Sequence, residues 1–200
     1  MPAADGGTAL RFLRTLVPAW ALSLALAGCA PGGLRGDSAI ELPTPATSFD
    51  VAGRLSARHG AEALSANFHW HHSTEGDHLE FVSPLGQIVA VLSGDPQGVR
   101  LEAADGRVVT AADWVALTEL GLGWRLPVDG LAFWIQGAPR AGASFTAEAG
   151  EGGRAALLRQ DGWTIVYLAY APDENALPRP SRMTLSYPDV ELRLAVDSWR

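Results

Sequence analysis

Residues 49–57 read Phe49-Asp50-Val51-Ala52-Gly53-Arg54-Leu55-Ser56-Ala57. Phe49, Val51, Gly53, Leu55 and Ala57 alternate with polar or small residues, and a period of two sends each set to one face of a strand. The stretch therefore reads as half-buried β-structure. The same pattern recurs at Leu64, Ala66, Phe68 and Trp70, and Leu79 and Phe81 begin a third strand. Ile88 to Leu92 forms a fourth, continuously apolar one. Val99 to Leu101 and Arg107 to Val109 flank Asp105-Gly106, while Leu157-Leu158 and Trp163 to Leu168 flank Asp161-Gly162. Asp-Gly favours the tight type I′ turn of a hairpin, in which both central residues take positive φ. Met183, Leu185 and Tyr187, then Val190, Leu192, Leu194 and Val196, return to alternation. No crossover helix separates these runs, so neighbouring strands should be antiparallel.

Two segments break the period. Thr110 with Asp113 three residues on predicts a capping box, and Trp114, Leu117 and Leu120 follow at helical spacing through Leu122. A shorter helix is expected over Val128 to Gln136, with Leu131, Trp134 and Ile135 apolar and Gly137 ending it. Two short helices inside a long meander predict a mainly β fold. The form expected is a curved antiparallel sheet or incomplete β-barrel covered by those helices.

The chain has 200 residues, 48 % hydrophobic and 18 % charged, enough apolar material for one domain with a real core. Its formal charge of −7 argues against non-specific nucleic-acid binding, which needs a basic face. One cysteine excludes a disulfide framework, a CxxC redox pair and a Cys₄ zinc site.

The N-terminal end carries an export signal. Arg11 and Arg14 precede Thr15 to Ala27, an uncharged Leu/Ala-rich run too short to span a bilayer core of about 30 Å. It closes in Leu26-Ala27-Gly28-Cys29, which resembles a bacterial lipobox. Residues 1–28 are thus expected to be a lipoprotein signal peptide. Cys29 would become the first mature residue, bearing S-diacylglyceryl and N-acyl groups. Such chains anchor a protein at about 0.8 kcal/mol per buried methylene. Ala30 rather than Asp follows the cysteine, which favours the outer membrane, with the domain facing the periplasm. The Gly- and Pro-rich stretch to Ser48 predicts a flexible tether over residues 29–48, ahead of a domain at 49–200.

From Phe49 to Trp199 the chain resembles the LolB family of outer-membrane lipoprotein acceptors, on several segments in order. Phe49 to Leu55 is similar to the opening strand, and Ser83-Pro84-Leu85-Gly86 to a protruding loop. Leu120 to Val128 and Leu131 to Gly137 resemble the central block. Gln160 to Tyr167 and Leu192 to Trp199 resemble the closing strands, whereas Gly137 to Arg154 departs from the pattern. The resemblance implies an incomplete barrel with a helical lid around an apolar cavity. It implies a lipid-binding chaperone in protein transport that takes acylated lipoprotein cargo from the periplasmic carrier LolA. The cargo is then released into the outer membrane. Three acyl chains hold roughly 45 methylenes, so exposing them to water would cost on the order of 35 kcal/mol. A sheltering cavity is a physical requirement of that traffic.

Site candidates follow. Pro84 and Gly86 bracket Leu85 at a turn tip, where an apolar side chain has little to pack against; the alternative is that it folds back onto the sheet. As in the family's loop, Leu85 would then touch membrane or cargo. Beyond the expected signal peptide six of the seven tryptophans remain, at Trp70, Trp114, Trp124, Trp134, Trp163 and Trp199. Such rings either fill a core or line a lipid cavity, and Phe81, Trp114, Trp134 and Tyr167 are the cavity candidates. His69, His71, His72 and His78 form the one metal-like cluster. His69 and His71 share a strand face that His72 does not, so no metal site is expected. Nor is a cofactor. No GxSxG elbow, free thiol or phosphate loop supports an enzyme. The alternative reading is a structural or assembly lipoprotein that binds a protein partner without acyl-chain cargo.

Overall fold

The computed structural model describes residues 40–200. The signal peptide, Cys29 and the first part of the expected tether lie outside the described residues. Eleven strands and two helices follow one another. They are β1 (Phe49–His59), β2 (Glu62–Ser73), β3 (Gly76–Val82), β4 (Ile88–Asp95), β5 (Gly98–Ala103), β6 (Val108–Ala111), α1 (Trp114–Leu122) and α2 (Val128–Trp134). Then come β7 (Phe145–Ala149), β8 (Ala155–Gln160), β9 (Trp163–Pro172), β10 (Pro178–Tyr187) and β11 (Val190–Trp199). All strands join one antiparallel sheet in the order β6-β5-β4-β3-β2-β1-β11-β10-β9-β8-β7. The first and last strands meet in its middle, with Leu55 opposite Leu194. Both free edges, β6 and β7, belong to strands that the helices connect.

Parity decides what is buried. Val51, Leu55 and Ala57 on β1 face inward with Phe68 and Trp70 on β2, Leu79 on β3 and Leu192 and Leu194 on β11. Trp114, Leu117, Val128 and Trp134 of the helices enter the same core. This is the curved, unclosed sheet with helical cover that alternation predicts. One close approach fixes how α1 lies on it. A Cβ on Gly94 would stand 2.4 Å from the Trp114 ring, so only glycine admits that ring against β4.

Four local features differ from the sequence reading. Thr110 does not cap α1; it pairs with Arg100 inside β6. Asp113 is the cap, its carboxylate accepting the Ala116 N–H at 2.8 Å. α2 ends at Trp134, two residues short of the expected Gln136. Asp161 and Gly162 hold positive φ of 53° and 81°, as a type I′ turn requires, but at Asp105-Gly106 only the glycine does. There Gly106 N–H donates to Ala103 C=O at 2.9 Å, giving a wider turn. Finally, 40–48, the described end of the expected tether, is hydrogen-bonded to the domain. Glu41 N–H donates to Gly153 C=O, and Ala46 N–H donates to the Gln136 side-chain oxygen at 2.7 Å.

Candidate functional site

An apolar cavity of about 400 Å³ opens between β1–β5 and the C-terminal end of α1. Its floor is built from small strand residues (Ala57, Ala66, Ala90 and Ala103) facing Gly121 of α1, and their missing bulk leaves the space. Leu55, Phe81, Leu92 and Leu101 wall it, and Leu122, Trp124 and Leu126 roof it. The roof is held by a buried hydroxyl. Thr118 Oγ1 donates to the Trp114 carbonyl at 2.9 Å and accepts the Leu126 N–H at 3.0 Å, tying the α1–α2 linker back onto α1. The Trp124 ring stacks on His59, centroids 6.0 Å apart. At the rim Leu64 and Val89 are 38 % and 40 % exposed, beside Arg107. An apolar hollow with apolar lips favours hydrocarbon over water.

The turn carrying Leu85 joins two walls of this cavity, since it links Phe81 on β3 to Val89 on β4. Ser83 N–H donates to Gln87 C=O at 2.8 Å and Gly86 N–H to Ser83 C=O at 2.9 Å. Gly86 takes φ 84°, a conformation that closes the turn and that a Cβ would disfavour. Leu85 is left 89 % exposed at its tip.

The four aromatic candidates separate. Phe81 lines the cavity. Trp114 is buried against Gly94, and Trp134, 1 % exposed, donates its Nε1–H to Gln160 Oε1 at 2.8 Å. Tyr167 is buried and donates its hydroxyl to the Trp134 carbonyl at 3.0 Å. Trp114, Trp134 and Tyr167 are thus packed core rings that do not line the apolar cavity. Burial raises the Tyr167 phenol well above its ordinary range. It pushes Tyr170 up to about 12 against the opposing Arg154 cation, so both phenols stay neutral donors. Sequence reading missed Trp124 and Leu126 as roof and Leu64 and Val89 as rim. The inward parity of Leu64 with Ala66 and Phe68 was its available signal.

A second, more polar hollow of about 650 Å³ lies beyond the roof, lined by Phe133, Trp134, Trp163, Asp129 and Arg140. Leu126 lines both hollows. The histidines pair singly with carboxylates: His71 with Asp50 at 2.9 Å, His72 with Asp77 at 2.7 Å and His78 with Glu80 at 3.3 Å. Among the described residues no group of three ligands is placed to hold a metal ion.

Comparison with known proteins matches residues 47–199 to the family model "Outer membrane lipoprotein LolB". The outer-membrane lipoprotein LolB of Thiobacillus denitrificans is 39 % identical, over 94 % of this chain and 98 % of its own. That of an Azoarcus species is 38 % identical over 96 % of each. Among solved structures, a LolA superfamily protein from Nitrosomonas europaea superposes with a TM-score of 0.46 at 9 % identity, covering 82 % of this chain and 90 % of that one.

Proposed function

The chain belongs to the LolB family of outer-membrane lipoproteins, and from that premise we propose that it receives acylated lipoproteins from the periplasmic carrier LolA and passes them into the outer membrane. One observation carries the reading: an apolar cavity of about 400 Å³ whose exposed rim adjoins the Leu85 turn. Cargo chains enter past Leu64 and Val89 and pack against Phe81 and Trp124. Leu85, with Pro84 and Gly86 shaping its turn, meets the membrane or the cargo as the chains leave. Cys29 carries the lipid that keeps the domain at the outer membrane. No nucleotide-binding motif supplies energy, so direction comes from affinity, with the bilayer as final sink.

The cavity sits near the low end of ligand sites, which run roughly 300–1,000 Å³. Several chains at once need more room, and Leu126, which lines both hollows, is the residue whose displacement would connect them in this reading. A structural lipoprotein without acyl cargo would have no use for a hydrocarbon-lined hollow that small floor residues keep open. The test is binding of a fluorescent fatty-acyl probe to the domain spanning residues 40–200. Wild type should bind, and Trp124→Asp or Phe81→Asp should bind at least tenfold more weakly, because a carboxylate replaces apolar wall that the acyl chain packs against and is costly to bury. Wild type that ignores the probe would refute the cavity's role.

A further inference from the structure

The convex face of the sheet carries a groove that cargo handling leaves unused. It occupies about 770 Å³ and crosses β2, β1, β11 and β10. Ala195 on β11 is the cross-strand partner of both Arg54 on β1 and Arg182 on β10, and Arg193 likewise sits between Ser56 and Thr184. Strand spacing of about 4.8 Å sets the Arg54 and Arg182 backbones about 10 Å apart, with Arg193 one step along between them. The neighbours are small or hydroxylated (Ser56, Ser65, Thr184, Ala195), so three guanidinium groups rise around a shallow trough. Pro84 closes one end and Leu168, 63 % exposed, the other.

Charge pairing does not account for this face. Arg54 meets Asp197 at 3.1 Å and Arg193 meets Glu191 at 2.9 Å, both in exposed geometry where an ion pair contributes little and exchanges readily. Arg182 makes no ion pair among the described residues. The chain as a whole is acidic at −7 and all its 15 basic residues are arginine, so this convergence is local and is not a general basic surface. Guanidinium forks match phosphate oxygens in paired hydrogen bonds, and serine and threonine hydroxyls complete such a site.

We propose that this groove binds the phosphodiester headgroups of a membrane surface and seats the domain on the bilayer beside the Leu85 turn. The proposal rests on the reading of Leu85 as membrane-facing, because Pro84 belongs to both the turn and the groove. Headgroups would lie across Arg54, Arg182 and Arg193 while Leu85 and Leu168 dip into the apolar layer at either end. The arginines give orientation; the leucines give depth.

The test uses residues 40–200, which contain every core residue named above, and vesicles of phosphatidylcholine alone or mixed with phosphatidylglycerol. Flotation should show the wild-type domain binding the anionic vesicles more tightly, with the advantage shrinking as salt rises. Each arginine removed, Arg182→Ala and then Arg193→Ala, should cut that advantage about fivefold, as basic residues at an anionic surface do. Leu85→Glu should weaken binding to both vesicle types and leave their ratio unchanged. Equal binding of wild type to both vesicles, or a ratio unmoved by the double arginine variant, overturns the groove. If Leu85→Glu has no effect while the arginine variant still loses its ratio, the turn reading fails and the groove stands.

Discussion

Leu85 has almost nothing to lose by substitution within the fold, and that makes it the cleanest residue to perturb. At 89 % exposure Leu85→Glu should change stability by less than about 0.5 kcal/mol. Delivery of cargo into liposomes should nonetheless fall, because a carboxylate replaces an insertion gain of about 1.5–3 kcal/mol with a desolvation cost. Flotation of liposomes after incubation with loaded domain measures it; wild-type delivery by the variant would remove the turn's role. Gly94 is the opposite case. Gly94→Ala drives a methyl into the Trp114 ring, and overpacking of that kind costs about 1–3 kcal/mol in urea unfolding. The exposure of Leu85 was legible, since Pro84 and Gly86 leave a turn tip no neighbours. The fate of each tryptophan was not. Whether a ring fills or lines depends on what faces it across the sheet, and Trp114 meets a glycine 20 positions away in sequence.

Strands were read from their period where one face is buried, and lost where neither is. β7 escaped because Phe145 and its alternate neighbours are mostly exposed on an edge strand, so no inward set marks it. Thr110 joins β6 through its pairing with Arg100, a tertiary contact that local spacing does not carry. Nothing in the local pattern marks the glutamines as buried, yet they lock the irregular segments. Gln160 Oε1 accepts from both the Trp134 indole and the Arg140 N–H, and its Nε2 donates to the Arg140 carbonyl at 2.8 Å. Gln160→Leu should therefore cost about 1–3 kcal/mol for each donor it strands, seen as a lower urea midpoint. Leu126→Ala tests whether that side chain parts the two hollows. It should lose about 2–5 kcal/mol as a buried leucine while acyl-probe binding is kept or rises; a loss of probe binding without unfolding would make Leu126 a contact and not a partition. The β9–β10 hairpin adds a pH effect. Backbone donation from Leu177 holds the Asp173 carboxyl below its ordinary value, with the Arg179 guanidinium at 3.1 Å assisting. That stabilisation is present above the ordinary carboxylate value and is lost as pH falls through the lowered one. Asp173→Asn should flatten the acid limb of a melting-temperature profile.

The first and last strands pair in the middle of the sheet while its edges, β6 and β7, stay unpaired, and the helices that join those edges roof the interior. A hollow under a helical roof is what distinguishes this architecture from a filled barrel. The residues packed into its core begin at Ile40, eleven positions after Cys29, so anchoring and folding are separable. Cys29→Ala should abolish acylation, read by mass spectrometry, and leave the domain's melting transition in place. Transfer tests the role of the hollow most directly. A triacylated lipoprotein held by its soluble carrier is mixed with the domain spanning residues 40–200, and cargo is followed by size-exclusion chromatography. Cargo should move onto the wild-type domain without added nucleotide and remain on the carrier when the acceptor is Trp124→Asp. Cargo that stays with the carrier in both cases, or moves equally well onto the variant, would contradict it.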